Sequence, residues 1–295
     1  QVEPPRNQGA LLNGHGSVWV ARDHVAQNIR HHLWQLLICH QDIPDVLRGR
    51  LNHDAAADSA LREVKALHLV VDPCAALPQP LWPWIRKRHP KAWIWARDAI
   101  YGDRMVRALP LTFEALGPQY LRAAYATQNA IPEYARLREE VPYFISTWDD
   151  HDFGLNDGGG DLPWRDASQE VFLAAMDLSV PSGQHGVYTK TRVPVEGGSV
   201  LVVALDLRYH KSPYTNVDGD FLGEAQWAWL AETLKTVKED AVVIVSSLQL
   251  LDERYGLGER WGRFPAARLR LLNVLELCKR PLLVVSGDVH MAELS

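Results

Sequence analysis

Tyr143-Phe144-Ile145-Ser146-Thr147-Trp148-Asp149-Asp150-His151-Asp152 is the stretch on which the reading of this chain turns. Its first half is an aromatic and β-branched run of strand length, apolar where a half-exposed strand would alternate. Its second half crowds carboxylates around an imidazole. Asp149, Asp150 and Asp152 in one short loop repel each other unless protons or cations sit between them. A buried strand that empties into such a loop is the pattern of an α/β protein with its site beyond the strand ends.

Working outward, similar apolar runs stand at Leu67–Val71, Ala92–Ala96, Ser199–Leu205, Ala241–Ser246 and Pro281–Ser286. Gly186–Pro194 predicts one further strand, joined to Ser199 by the turn Glu196-Gly197-Gly198. Between the runs, the spacing predicts helices over Pro80–His89, Phe113–Thr127, Pro132–Glu140, Trp164–Leu178, Gly223–Lys238 and Pro265–Cys278. Pro132 and Pro265 fall where the first turn of a helix tolerates proline. Upstream, Val18–His40 and Leu51–Lys65 have weak helical spacing and no readable chemistry. Residues 1–66 are therefore set apart as an N-terminal extension, and 67–295 are read as one layered domain.

The polar residues after the runs share a chemistry. Cys74 follows the first; Asp98, Tyr101 and Asp103 the second; Arg208 follows the run that ends at Leu205, and Asp288 and His290 follow the last. Hard cations take carboxylate oxygen, and imidazole or thiolate widens the choice to transition metals. In an extended segment, Asp288 and His290 project to one side. Taken singly, each has a plainer reading. Asp98 also fits a helix N-cap, Cys74 a small buried apolar residue, Tyr101 packing, and Arg208 a surface salt bridge. It is their recurrence at successive strand ends that favours a metal centre.

Composition narrows the classes. The 295 residues are 47% hydrophobic and 23% charged, which is globular rather than disordered. A net charge of -5 argues against duplex nucleic acid as a partner. Three widely spaced cysteines make no disulfide framework. No uncharged apolar run is long enough to span a bilayer. No signal peptide is visible, and compartment and oligomeric state are left open. The chain starts on Gln1 and stops at Ser295, five residues after His290, so it is expected to be cut, above all at its C-terminus.

Ser146–Asp157 resembles the hallmark segment of the PhoD-like (alkaline phosphatase D) metallophosphatases. Asp98-Ala99-Ile100-Tyr101-Gly102-Asp103, Leu222–Leu230, Glu259–Pro265 and Ser286-Gly287-Asp288-Val289-His290 are similar to further stretches of that family, in the same order. The resemblance implies a sandwich of two mixed β-sheets flanked by helices. It implies a metal-dependent hydrolase of phosphodiesters or phosphomonoesters that works through a metal-activated hydroxide. Carried over, Cys74, Asp98 and Tyr101 would bind an iron(III)-type ion. Asp98 would bridge to a second ion of calcium type, Asp150, Asp288 and His290 would complete the cluster, and Asn156 would bind the second-site ion or the phosphate. His151 would stabilise charge on the phosphate or protonate the leaving oxygen, and Arg208 would fork onto phosphate oxygens. The chain departs from the family at Asp72-Pro73-Cys74, where Gly-Ser-Cys is usual, and at Arg97, where glycine is usual. Glycine before Asp98 suggests either a left-handed backbone there or a need for close approach. An inactive phosphate- or metal-binding relative is the alternative.

Overall fold

In the computed structural model the chain is described over residues 37–39, 67–70, 79–108, 111–251 and 258–287. The described strands, in chain order, are β1 (Leu37–Cys39), β2 (Leu67–Val70), β3 (Ala92–Trp95), β4 (Asp103–Ala108), β5 (Leu111–Ala115), β6 (Tyr143–Ser146), β7 (Thr189–Val195), β8 (Gly198–Ala204), β9 (Ala241–Ser246) and β10 (Leu282–Ser286). The helices are α1 (Trp82–Arg86), α2 (Pro118–Asn129), α3 (Pro132–Glu140), α4 (Asp150–Phe153), α5 (Arg165–Met176), α6 (Gly223–Thr236) and α7 (Pro265–Leu275).

The apolar runs line up into two sheets. One has the order β1-β2-β3-β6 and is parallel throughout. The other has the order β10-β9-β8-β7, parallel except for the β7–β8 hairpin. That hairpin turns at Gly197, whose φ of 76° suits a residue without a side chain.

Strand β3 shows why these runs read as continuously apolar. Ala92 and Ile94 face the second sheet, where they meet Val202, Ala204, Val243 and Val245. Trp93 and Trp95 face the other way, onto helices α1, α2, α3 and α5. Side chains still alternate along the strand, but both faces are dry, so nothing polar is required on either. The inward set is small, which lets the sheets approach. The outward set is large and fills the space under the helices. Trp82 and Trp93 lie 5.2 Å apart between ring centroids, Trp93 and Trp95 5.5 Å. The Trp95 indole N–H donates to the Tyr134 hydroxyl over 2.9 Å, so its one polar atom is satisfied in the core. Truncating Trp95 to alanine would cost about 3–5 kcal/mol. The second sheet is built the same way. Leu201, Val203, Val242 and Ile244 turn outward onto Trp227 and Leu230 of α6 and Leu271 of α7. The result is a two-sheet sandwich with helices on both outer faces.

Three sequence expectations change. Phe113 lies in a strand, not a helix. Leu111–Ala115 pairs antiparallel with Asp103–Ala108, and α2 starts only at Pro118. Gly117, at φ 88°, breaks the extended segment, and Pro118 takes the first helical turn. Within Val18–His40, expected to be helical, Leu37–Cys39 is a strand parallel to β2. The first sheet thus takes a strand from the stretch set apart as an extension. The rest of that stretch and Leu51–Lys65 lie outside the described residues. The first sheet is also wholly parallel among the described residues, so only the second is mixed.

Candidate metal centre

Strands β3 and β6 are parallel neighbours, so their carboxyl ends open at the same place. After β3 come Arg97 and Asp98; after β6 come Thr147, Trp148 and the acidic loop. The loop is fixed before it reaches the carboxylates. The Thr147 amide donates to Trp95 O over 2.9 Å, and the Thr147 hydroxyl donates to Leu205 O in the facing sheet over 2.5 Å. The Trp148 indole N–H donates to Asp206 Oδ1 over 2.8 Å.

The acidic residues then divide their work. Asp149 and Asp152 form a reciprocal capping box around the single turn of α4. Asp152 also accepts the Ala99 and Ile100 amides at 3.0 and 3.1 Å and the Tyr125 hydroxyl at 2.7 Å. Its carboxylate therefore staples the Asp98 turn to α4 and is spent on structure. Burial, then the charge of Asp98, hold the Asp152 carboxyl well above the usual carboxylate range.

Asp98, Asp150 and His151 present ligand atoms that all lie within 4.8 Å of one another. Asp98 is fully buried. Its Oδ1 accepts the His151 amide at 3.2 Å and the Asp152 amide at 3.4 Å. Its Oδ2 accepts from Arg97 Nη2 at 3.1 Å. Asp150 accepts the Asp157 amide at 2.8 Å. Burial and the Asp150 charge raise the Asp98 carboxyl, against the pull of Arg97 and His151. Burial would also raise Asp150, but the charges of Arg208 and His151 outweigh it and hold that carboxyl down.

His151 is anchored on one side. Its Nδ1 lies 2.6 Å from Asp103 Oδ1, and the second Asp103 oxygen accepts the Asn156 amide at 2.6 Å. The Tyr101 ring lies beside the imidazole, 4.4 Å between centroids. Burial lowers the imidazole pKa, but the Asp103 bond and the charges of Asp150 and Asp98 overcome it and push it up to about 10. These partners favour the imidazolium, the form that offers a proton.

A second acidic group, Asp149, Asp150 and Glu259, is as close-set as the first. Arg208 stands within it and is fully buried. Its Nε donates to Asp149 Oδ1 over 2.7 Å, and its Nη2 bonds the same oxygen. Nη2 also lies 2.5 Å from Glu259 Oε2 and 4.0 Å from Asp150 Oδ1. The fork expected to face phosphate is turned onto carboxylates.

At the far edge, Gly287 lies against Arg97. A Cβ there would stand 2.9–3.0 Å from Arg97 Cβ, Cγ and Cδ. The Arg97 backbone is not left-handed: the described non-glycine residues with positive φ are His89, Asp157 and Asp177. The left-handed backbone suggested at position 97 is absent, and the side chain occupies the space over Gly287. Cys74, Asp288 and His290 lie outside the described residues. Tyr101 and Asn156 border the cluster at intermediate exposure.

Sequence reasoning gave no role in the site to Glu259 or Asp103, and it left open whether Arg97 turns inward or to solvent. Asp103 had a signal in its spacing from Asp98 and Tyr101. Glu259 had none local to it, because it reaches the centre from a distant loop.

The fold is that of PhoD. A solved structure of PhoD matches with a TM-score of 0.55 over 71% of this chain, at 18% sequence identity. The chain spans about half of the PhoD structure, 48% of its length. No protein-family model matches the chain, and no curated protein matches it by sequence. Like that structure, it is an α/β sandwich, and its acidic groups lie at the carboxyl ends of two adjoining strands. Among the described residues, no helix is long and apolar enough to cross a membrane.

Proposed function

We propose that this chain is a metal-dependent phosphoric ester hydrolase, acting on phosphodiesters or phosphomonoesters. The observation that carries the reading is the His151 imidazole, held by Asp103 at the rim of the buried Asp98–Asp150 pair.

The donor set fits a cation. Asp98 and Asp150 bring buried carboxylate oxygens together, and burial, then the Asp150 charge, raise the Asp98 carboxyl. Asp98 and Asp150 would hold the ion, with Tyr101 and Asn156 at the border. Cys74, Asp288 and His290 are proposed to complete the set, with iron(III) and calcium as the ions. Bound there, they would polarise phosphoryl oxygens and lower the pKa of a water.

The protein's own share is orientation and proton transfer. With Nδ1 committed to Asp103, the proton His151 can transfer is on Nε2. A charged imidazole beside an ester oxygen stabilises the developing alkoxide and can protonate it as it leaves. Asp152 fixes the Asp98 turn relative to α4, so the carboxylates and His151 keep their spacing. Arg208 stays with Asp149 and Glu259 and acts by holding the acidic loop in place rather than by touching substrate.

A second reading is a phosphate- or metal-binding protein without turnover. It is favoured by one observation, the guanidinium on Asp98.

The experiment is hydrolysis of a chromogenic phosphodiester by the metal-loaded chain. Turnover well above background is expected. His151→Asn should lower it about 10²–10⁴-fold with metal content unchanged. Background rates in the parent chain, with metal bound, would replace the first reading by the second. A large loss of metal in His151→Asn would make His151 a ligand.

A further inference from the structure

We infer that Arg97 is a built-in cation for Asp98, standing where a second metal ion would otherwise be bridged, so that the centre takes one ion instead of two. The inference rests on the metal-centre reading above and goes beyond it, replacing the second of the two ions by the arginine.

The geometry is specific. Arg97 is 1% exposed, stands two residues past the end of β3, and places Nη2 3.1 Å from Asp98 Oδ2. The other Asp98 oxygen already accepts two backbone amides, from His151 and Asp152. Whether a carboxylate bridges two ions through one oxygen or through both, the bridging lone pairs must face the ions and not a cationic side chain. Here one oxygen is turned to α4 amides and the other to a guanidinium. A buried arginine is permanently charged and cannot yield by deprotonation. A divalent ion at Oδ2 would therefore face a full positive charge at close range in a poorly solvated place.

Nor is Arg97 easily moved aside. Its stem lies on the backbone of Gly287, where any Cβ would stand within 2.9–3.0 Å of three of its carbons. Gly287 is itself fixed. Its amide donates to Ser247 O over 3.1 Å, and its carbonyl accepts from the Gln249 side chain. The missing side chain at 287 and the long one at 97 fit each other, which seats the guanidinium as part of the fold.

The consequence is chemical. Part of the positive charge over the phosphoryl group comes from arginine rather than from a second Lewis acid. Arginine can bind and orient an oxyanion but does not lower the pKa of a water as a metal ion does. The centre is thereby biased toward phosphate-ester binding and slow hydrolysis.

The test is titration of the chain with Mn²⁺ alone, read by bound-metal stoichiometry and by electron paramagnetic resonance. The parent chain should bind one ion per chain, with the resolved hyperfine pattern of an isolated Mn²⁺. Arg97→Met, which keeps the stem and drops the charge, should bind a second ion roughly 100-fold more tightly than the parent does. Its spectrum should be that of a coupled pair. Arg97→Gly is the second variant, in case the thioether packs poorly. Two coupled ions in the parent chain, at affinities unchanged in both variants, would overturn the inference and leave the metal-centre reading intact. No specific Mn²⁺ in any of the three chains would overturn that reading, and this inference with it.

Discussion

Two acidic clusters of nearly the same composition lie side by side at the ends of β3 and β6, and they serve opposite ends. Around Arg208, Asp149 and Glu259 are sealed from water and engaged by one guanidinium. Around Asp98 the carboxylates are equally buried, but the cluster opens toward His151, whose side chain keeps 13% exposure, and toward the half-buried Tyr101. Asp150 belongs to both groups. The difference shows that a count of carboxylates says little about function. What separates a closed ion-pair network from a candidate site is whether a permanent cation fills the centre and whether an edge remains open. Arg97 makes the second cluster an intermediate case.

The largest effect should come from the closed cluster. Arg208→Met removes the guanidinium shared by Asp149 and Glu259 and leaves Glu259 with Lys211 Nζ at 3.7 Å, and stability should fall by about 3–5 kcal/mol. Urea denaturation measures this. The same substitution together with Asp149→Asn and Glu259→Gln should recover most of the loss, because neutral groups no longer need the guanidinium. A small loss in the single variant would mean that Arg208 is not the structural partner of these acids, and would free it for substrate.

A smaller and different effect is expected at the open cluster. Asp103→Asn keeps an oxygen for the Asn156 amide but loses the charged partner of His151, so stability should fall by about 1–3 kcal/mol. Turnover should also fall about 10- to 100-fold, most for esters with poor leaving groups. The sign of the pH effect follows from the Asp103 bond that raises the His151 pKa. Weakening that bond lowers the pKa, the imidazolium is lost at lower pH, and the alkaline limb of the rate profile moves down. A uniform loss across leaving groups, with no displacement of that limb, would leave Asp103 with a purely architectural role.

Both the fold and its site were partly visible beforehand. The strands of the sandwich stood out because both of their faces are dry: Ala92–Trp95 and Ala241–Ser246 contain almost nothing polar. The β4–β5 hairpin did not stand out. Arg104, Met105, Val106 and Arg107 are exposed, so burial imposes no pattern on that segment. Asp98, Asp150 and His151 were recognisable from their place after strands and from the Trp-Asp-Asp-His segment. What the sequence could not separate was the division of labour among neighbouring aspartates. Asp152 staples a turn, Asp149 answers Arg208, and Asp150 faces the centre, because each side chain meets a different distant element. The direction of Arg97 was likewise set from afar, by the bare backbone of Gly287.

The most direct test of this contrast is anomalous diffraction from crystals of the parent chain soaked in Mn²⁺. One anomalous peak in ligand contact with Asp98 and Asp150, with none among Asp149, Glu259 and Arg208, is the predicted result. A peak between Asp149 and Glu259, with Arg208 displaced, would contradict it.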